Sequence, residues 1–221
     1  MSAPSNVPII DVVSDVVCPW CYIGKRHLEA ALALHGSDLP RPVVRWHPYE
    51  LNPDLPAEGV DRREYLERKF GGPARAAQVY ERVRSAGTQA GIAFDFERIE
   101  RQPNTRDAHR LVAWAQSQGD ADPLVERLFR AYFIDGRFVG AHEVLAEIAH
   151  EAGLDADAAF AFLASDLGRQ EIGAAEERVA SLGITGVPFF IVDGRYGLSG
   201  AQPPETIADA LRRARQPQAA D

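Results

Sequence analysis

Cys18-Pro19-Trp20-Cys21 stands where a run of β-branched residues gives way to a helical pattern. These are the only two cysteines of the chain, and they are three positions apart. The residues from Pro8 to Val17 predict a buried strand, and those from Trp20 to Leu34 predict a helix that ends near Gly36. A strand that delivers a C-x-x-C pair to the first turn of a helix is typical of redox-active dithiols. The stretch therefore predicts a thiol–disulfide site on an α/β fold.

The composition limits the classes of partner. Of 221 residues, 46% are hydrophobic, which is enough for a large core. Acidic residues outnumber basic ones by 32 to 24 and no basic block occurs, so neither nucleic acid nor an anionic membrane is expected as a partner. No apolar run approaches the roughly 18 residues that a membrane span needs. The residues before Val7 carry no basic side chain and lead into the first strand, so we expect no signal peptide and a cytoplasmic protein.

This compartment bears on the role of the cysteines. Cytoplasmic thiols are normally kept reduced, so a structural disulfide is not expected. A zinc site normally takes four ligands, but the chain has no second cysteine pair and its six histidines are scattered without ligand spacing. We therefore expect no metal, and redox chemistry is the favoured role of the pair.

Strand signals lie at the two ends of the chain, with helices between them. Val43 to His47 predicts a second strand, which completes a βαβ unit with the first strand and helix. From about Asp61 to Leu182 the hydrophobic periodicity is helical. Val187 to Val192 then predicts a strand, and Asp193-Gly194 predicts a hairpin turn.

The last part of the chain completes a second unit, of ββα type. Arg195 to Ser199 predicts the returning strand, and Pro203-Pro204 opens a final helix. Because a separate ββα unit would leave one face of its strands bare, the two ends are expected to join into one four-stranded sheet. The predicted domains are a first α/β part at residues 7–58, a helical insertion at 59–182, a second α/β part at 183–215 and a flexible tail at 216–221.

Two helix starts within the insertion carry capping signals. Asp61 with Glu64 resembles a capping box, in which each residue bonds the other's backbone. Asp122 before Pro123 predicts an N-cap followed by a proline at the first helical position.

The order of the two cysteines predicts their roles. With Cys18 at the N-cap, the unpaired N–H groups and partial positive charge of the helix start favour its thiolate. Cys21 lies one turn further, close enough to form a disulfide, and is expected to be more buried. We therefore expect Cys18 to be the nucleophile and Cys21 the resolving thiol that releases a mixed disulfide.

Longer motifs around these features carry a family resemblance. They are Asp15-Val16-Val17-Cys18-Pro19-Trp20-Cys21-Tyr22-Ile23-Gly24, Leu51-Asn52-Pro53-Asp54, Asn104-Thr105 with Ala108-His109-Arg110, Gly186-Val187-Pro188-Phe189-Phe190, and Ser199-Gly200-Ala201-Gln202. Over about residues 7 to 212 the chain resembles the DsbA family of the thioredoxin superfamily, in the branch of FrnE-like proteins and 2-hydroxychromene-2-carboxylate isomerases. The resemblance implies a thioredoxin fold with a mixed four-stranded sheet and a large helical insertion. It also implies a cis proline at Pro188 that faces the redox pair.

The resemblance also suggests site residues beyond the cysteines. Cys18, Cys21 and Pro188 are the expected catalytic set; Pro19, Trp20, Val187, Asn52, Asn104 and His109 are candidates for substrate binding. Asp15 is a candidate proton relay for Cys21, and a solvated or helix-capping carboxylate is its alternative. For Trp20 the alternative is packing, and for Asn104 and His109 it is capping or hydrogen bonding between domains.

Three functions are compatible with these residues. The first is a thiol–disulfide oxidoreductase or disulfide isomerase that acts on protein or small-molecule thiols and disulfides. The second is a glutathione-dependent isomerase or transferase of the 2-hydroxychromene-2-carboxylate isomerase or kappa-class glutathione transferase type. The isomerases of this branch use serine where this chain has Cys18, which favours the first function. The third is a non-catalytic binding module on a redox fold.

The expected cofactor requirement is small. The redox-active group is the Cys18–Cys21 disulfide itself, with no bound cofactor, and glutathione is a candidate reductant or co-substrate. No second cysteine pair is present in the sequence, so electron transfer from the site is expected to use an external thiol. The chain is expected to be a monomer or a homodimer, because no decisive interface pattern occurs in the insertion.

Overall fold

The two ends of the chain meet in one mixed sheet. A computed structural model describes residues 7–34 and 40–216; Gly36, where the first helix was predicted to end, and residues 217–221 of the predicted tail lie outside it. The four strands are β1 (Ile9–Ser14), β2 (Val43–Pro48), β5 (Phe189–Val192) and β6 (Tyr196–Ser199). Their order is β2-β1-β5-β6, with β1 and β2 parallel and the other pairs antiparallel. The predicted thioredoxin-type sheet, built from βαβ and ββα parts, is confirmed.

Helices surround this sheet on both faces. The helices of the α/β parts are α1 (Pro19–Leu34) and α9 (Pro204–Ala214), which pack against each other on one face. The segment predicted as the insertion contains α2 (Arg62–Phe70), α3 (Pro73–Gln89), α4 (Arg106–Gln118), α5 (Asp122–Phe133), α6 (His142–Glu151), α7 (Ala156–Ala164) and α8 (Arg169–Ser181). Within the described residues, no helix is both long enough and apolar enough to cross a membrane.

The first strand is shorter than the predicted segment from Pro8 to Val17. It ends at Ser14, because the chain turns there to start the helix. The amide of Cys18 donates a hydrogen bond to the carbonyl of Asp15 at 3.0 Å, which closes the turn. The apolar side chains of Val16 and Val17 are buried in this turn rather than in a strand.

The helical segment departs from the sequence prediction in two further details. The predicted N-cap at Asp122 is wrong: α5 begins at Asp122 itself, and Ala121 occupies the cap position. The Asp122 carboxylate instead lies 3.1 Å from Lys25 Nζ of α1, a partner too distant in sequence to be predicted. A short antiparallel pair, β3 (Val60–Asp61) and β4 (Arg101–Gln102), was not predicted, because two-residue strands have no periodicity to read.

Two other local signals are present: the N-cap at Asp61 and the hairpin turn are confirmed, whereas the second hydrogen bond of the predicted capping box, from the Asp61 amide to the Glu64 side chain, is absent among the described residues. Asp61 caps α2 by accepting a hydrogen bond from the amide of Glu64 at 2.9 Å. Asp193 and Gly194 both adopt positive φ angles, 51° and 65°, as the predicted two-residue hairpin requires.

One hydrophobic cluster runs from the sheet into the helical segment. It joins Ile10 of β1 and Phe190 of β5 with Leu28 of α1 and with Leu128 and Phe133 of α5. The opposite face of the sheet carries a smaller cluster, in which Val13 packs with Val179 of α8 and Ile184. The start of α1, where the cysteines lie, is therefore supported by both parts of the fold.

Candidate active site

The two cysteines lie at the start of α1, as the sequence predicts. Pro19 is the first residue of the helix, so Cys18 occupies the N-cap position. The Cys18 carbonyl accepts hydrogen bonds from the amides of Cys21 and Tyr22, at 3.0 and 3.3 Å. The two sulfurs carry no disulfide in this structure. Both residues are buried, Cys18 with 5% of its surface exposed and Cys21 with 2%.

The environment of Cys21 favours its protonated form. Burial raises the pKa of the Cys21 thiol well above its ordinary value, and the neighbouring Cys18 raises it further. Hydrogen bonds from the Ser14 side chain and the Asp15 backbone act in the opposite direction without reversing the shift. Loss of the Cys21 proton is therefore disfavoured at this position, and attack by Cys21 needs a group that takes this proton.

The loop before β5 faces the first cysteine. The Val187–Pro188 peptide bond is cis, as the resemblance implied. The Sγ atom of Cys18 lies 3.8 Å from the carbonyl oxygen of Val187. Gly24 of α1 lies beneath the proline: a Cβ atom at this position would be 3.0 Å from Pro188 Cγ. The close contact of α1 with Pro188 holds the loop beside Cys18.

Trp20 supplies exposed apolar surface next to the pair. It is 41% exposed, whereas Pro19 is partly buried. An exposed indole on the first turn of α1 is accessible to a molecule that approaches Cys18, and substrate binding by Trp20 stays a prediction.

Asp15 links the redox turn to the loop after β2. Its carboxylate is fully buried and accepts hydrogen bonds from the amides of Leu51, at 2.8 Å, and Val17, at 3.4 Å. Its backbone, rather than its carboxylate, provides the hydrogen bond to Cys21. The proton-relay role predicted for Asp15 therefore remains a hypothesis, and its carboxylate has a clear structural use.

The two asparagines of the motifs hold loops in place. Asn52 Oδ1 accepts a hydrogen bond from the hydroxyl of Tyr65 at 2.6 Å. Asn104 Nδ2 donates to the carbonyls of Pro53 and Leu55, at 3.2 and 3.0 Å. These contacts give the segment after β2 a defined path, and substrate binding by either asparagine stays a prediction.

His109 lies behind the cysteine pair rather than in front of it. Only 5% of its surface is exposed, and its Nε2 atom is 3.5 Å from Asp15 Oδ1. Burial alone would lower the pKa of His109, but Asp15, Glu50 and Glu176 raise it above the ordinary value. Substrate binding by His109 stays a prediction, as does its alternative role in capping or in hydrogen bonding between domains.

The buried charges around His109 come from separate segments, and sequence reasoning missed most of them. The carboxylate of Glu50 accepts a hydrogen bond from Arg106 Nε at 2.8 Å, and the Glu50 amide donates to Glu176 Oε1 at the same distance. Burial raises the pKa of Glu50, and the nearby Glu176 contributes in the same direction. Glu50 directly precedes the Leu51-Asn52-Pro53-Asp54 motif, which was its only sequence signal. Within residues 7–34 and 40–216, no group of three or more acidic, histidine or cysteine side chains is arranged to hold a metal ion.

Comparison with known proteins agrees with this fold. A solved structure described as a "probable DsbA oxidoreductase", from Streptomyces coelicolor, is 34% identical; the match covers 97% of this chain and 94% of that one, with a TM-score of 0.86. The uncharacterised protein YwbO of Bacillus subtilis is 28% identical over 206 residues, 91% of this chain and 94% of its own length. A 2-hydroxychromene-2-carboxylate isomerase structure shares the fold, with 16% identity, coverage of 93% and 95%, and a TM-score of 0.69.

A family model extends over nearly all of the described sheet and helices. The model of the DSBA-like thioredoxin domain matches residues 9–212, which include the cysteine pair, the whole helical segment and the loop at Pro188. The chain therefore belongs to the family of DSBA-like thioredoxin domains.

Proposed function

We propose that this protein is a dithiol–disulfide oxidoreductase or disulfide isomerase in which Cys18 is the attacking sulfur and Cys21 the resolving sulfur. The observation that carries the proposal is the asymmetry of the pair. Cys18 is at the helix start, with its Sγ atom 3.8 Å from the Val187 carbonyl, whereas Cys21 lies one turn further along the helix, 2% exposed, where burial raises the pKa of its thiol. Such an asymmetric pair fits a two-step thiol–disulfide exchange.

The reductive half-reaction proceeds in two balanced steps. The Cys18 thiolate attacks one sulfur of a substrate disulfide, forming a Cys18–substrate disulfide and releasing the other substrate sulfur as a thiolate. Cys21 then loses its proton and attacks Cys18 Sγ, which forms the Cys18–Cys21 disulfide and releases the second substrate sulfur. The substrate gains the two electrons that the pair loses. After this reaction, two molecules of an external thiol such as glutathione reduce the Cys18–Cys21 disulfide and are themselves joined as a disulfide. Reversal of the two substrate steps oxidises a substrate dithiol and leaves the pair reduced.

The surroundings of Cys18 suggest how a partner is held. The Val187 carbonyl lies 3.8 Å from the sulfur, and the exposed ring of Trp20 follows two residues later on the first turn of α1. A polypeptide in an extended conformation fits beside such a loop, because its backbone can pair with the chain at Val187. In a reducing cytoplasm, the location expected from the sequence, the favoured directions are reduction and isomerisation, because the thiol pool would drain an oxidant.

Single-cysteine variants test the proposal. With insulin as the substrate and glutathione as the reductant, Cys18→Ser should lose essentially all disulfide-reductase activity. Cys21→Ser should still attack disulfides but accumulate a mixed disulfide on Cys18, visible by mass spectrometry of the intact protein. Unchanged insulin reduction by Cys18→Ser would overturn the proposal.

The same variants distinguish this function from that of a glutathione-dependent isomerase or transferase. Cys21→Ser that retains full glutathione-dependent activity on a small-molecule substrate, with no accumulated mixed disulfide, would favour the isomerase or transferase reading. Loss of turnover together with a trapped substrate would support the oxidoreductase.

A further inference from the structure

A small cavity lies beside the end of β1, close in the chain to the cysteine pair. It has a volume of about 20 Å³, and its walls come from β1, β2, α4 and α5. The polar side chains in its wall are Ser14, Trp46, His47 and His109, and the rest of the wall is mostly aliphatic. This volume is sufficient for one water molecule.

Two polar atoms of the cavity wall support a water site there. Trp46 Nε1 and His109 Nε2 are buried and have no hydrogen-bond partner among the described residues. Buried polar atoms are nearly always paired with protein or ordered water. One water in the cavity can accept a hydrogen bond from the indole of Trp46 and donate one to His109, which satisfies both.

Ser14 connects this cavity to the redox pair. It is the last residue of β1, directly before Asp15, and it lines the cavity. Its side chain is also close enough to the Cys21 sulfur to lower the pKa of that thiol. A hydroxyl group can accept one proton while it donates another, so Ser14 can pass a proton between the thiol and the cavity.

The charges around His109 favour the gain of a proton by its imidazole. The facing acidic groups are Asp15 of the redox turn, Glu50 after β2 and Glu176 of α8, and all three raise the pKa of His109. Across the cavity is His47 of β2, whose Nε2 atom is occupied by Asp11 at 2.7 Å.

The helix that carries His109 also places a cation near these acidic side chains. Arg106 of α4 is paired with Glu50 at 2.8 Å. Asp15 is the nearest acidic partner of the imidazole, at 3.5 Å, so it can stabilise an imidazolium at this position.

We infer that Ser14, a water bound in this cavity and His109 form the proton path of Cys21. The inference rests on the proposed function, because the path serves the step in which Cys21 attacks the mixed disulfide. In that step the Cys21 proton passes to Ser14 Oγ, the Ser14 proton passes to the water, and a water proton passes to His109 Nε2. The Cys18–Cys21 bond forms and the substrate sulfur leaves with the electron pair of the broken bond. In the reverse reaction the imidazolium returns the proton to Cys21.

The path predicts a pH dependence for one step only. Neutral His109 accepts a proton and the imidazolium does not, so the Cys21 step should become faster as the pH rises through the pKa of His109. The attack by Cys18 involves the other sulfur of the pair, so its rate should not follow the titration of His109.

The chromogenic disulfide dithiobis(nitrobenzoate) separates the two steps in a stopped-flow experiment. Attack by Cys18 releases the first thionitrobenzoate, and attack by Cys21 on the resulting mixed disulfide releases the second. His109→Gln should slow the second release at least about tenfold and flatten its pH profile, while the first release keeps its rate. His142→Gln is the matched control, because His142 is paired with Asp107 on the helical segment, at 2.7 Å, away from the cavity.

Two further variants keep the test decisive if His109→Gln fails to fold. Ser14→Ala breaks the link between Cys21 and the cavity, and Trp46→Phe removes the indole N–H while it keeps an aromatic ring. Both should slow the second release and spare the first. An unchanged second release in folded His109→Gln and Ser14→Ala, or slowing of both releases alike, would overturn the proton path. Failure of the wild-type protein to give any second release would overturn the proposed function instead.

Discussion

At the scale of single residues, the contact between Gly24 and Pro188 holds the loop before β5 against the start of α1. A Cβ at Gly24 would be 3.0 Å from Pro188 Cγ and 3.1 Å from Phe190 Cζ, closer than normal carbon contacts. Gly24 is part of the motif that begins at Asp15, and the structure gives a steric reason for the absence of a side chain there.

Gly24→Ala should therefore damage both stability and activity. Overpacking at this contact is expected to lower the free energy of unfolding by about 1–3 kcal/mol and to move the loop away from Cys18, which slows mixed-disulfide formation. Urea unfolding and single-turnover kinetics measure the two effects. Gly173→Ala is the matched control, since Gly173 lies in α8 with no neighbour within 4 Å of a built Cβ; it should change stability by less than about 1 kcal/mol, in the stabilising direction. Equal effects of both substitutions would contradict the steric account.

At the scale of secondary-structure elements, a buried charge fixes the register of the two parallel strands. Asp11 of β1 is directly opposite Arg45 of β2. The Arg45 guanidinium donates two hydrogen bonds to the Asp11 carboxylate, at 2.7 and 2.8 Å, and His47 lies 2.7 Å from the same group. Burial would raise the pKa of Asp11, but His47 and Arg45 lower it from 3.8 to about 2.

This shift predicts a stability change in acid. Because the pKa of Asp11 is lower in the folded chain, its contribution is complete above about pH 4 and is lost as the pH falls towards about 2. The fall in pKa from 3.8 to about 2 corresponds to at most about 2.5 kcal/mol, at about 1.4 kcal/mol for each pKa unit, and solvent screening of the partly exposed Arg45 and His47 side chains reduces this value. Asp11→Asn should lower the free energy of unfolding at neutral pH and remove this part of the acid dependence, as measured by urea unfolding at several pH values. Asp166→Asn, at an exposed position, should change neither; an Asp11→Asn variant with the wild-type pH profile would refute the assignment.

Elements with a strong local signal were predictable from the sequence, and contacts between distant segments were not. The alternation in Val43 to His47 and the Asp193-Gly194 turn gave the strands, and the C-x-x-C after an apolar run gave the start of α1. The strand β1 was predicted to end too late, at Val17. Val16 and Val17 are apolar because they are buried in the turn before α1, and they do not belong to the strand. The cavity of Ser14, Trp46 and His109 could not be predicted, since each residue comes from a different segment of the chain.

At the scale of the whole molecule, the α/β part and the helical segment share one core and one buried charge cluster. The side chain of Lys25 in α1 is only 1% exposed and forms ion pairs with Glu29 on its own helix and with Asp122 and Glu126 of α5. Tyr22 adds a hydrogen bond to Glu126 at 2.9 Å. These contacts attach the redox helix to the helical segment, so the two should unfold together.

Lys25→Met tests this coupling. Removal of the ammonium leaves three carboxylates without their shared cation, which should lower the free energy of unfolding by about 2 kcal/mol. The loss is smaller than for a fully buried ion pair, because the carboxylates are 27–40% exposed. Calorimetry should show one unfolding transition for the wild-type protein and a lower midpoint for the variant. Lys69→Met is the control at an exposed position, with little expected change. Two separate transitions in the wild-type protein would contradict the shared core.

The central claim is that Cys18 and Cys21 form a reversible redox pair with Cys18 as the attacking sulfur. Equilibration in buffers of varied glutathione redox ratio, followed by acid quenching, alkylation and mass spectrometry, tests it most directly. We expect one two-electron transition to a Cys18–Cys21 disulfide in the wild-type protein, and glutathione attached to Cys18 in Cys21→Ser. Absence of the intramolecular disulfide at every ratio, or glutathione attached to Cys21 of the wild-type protein in place of Cys18, would contradict it.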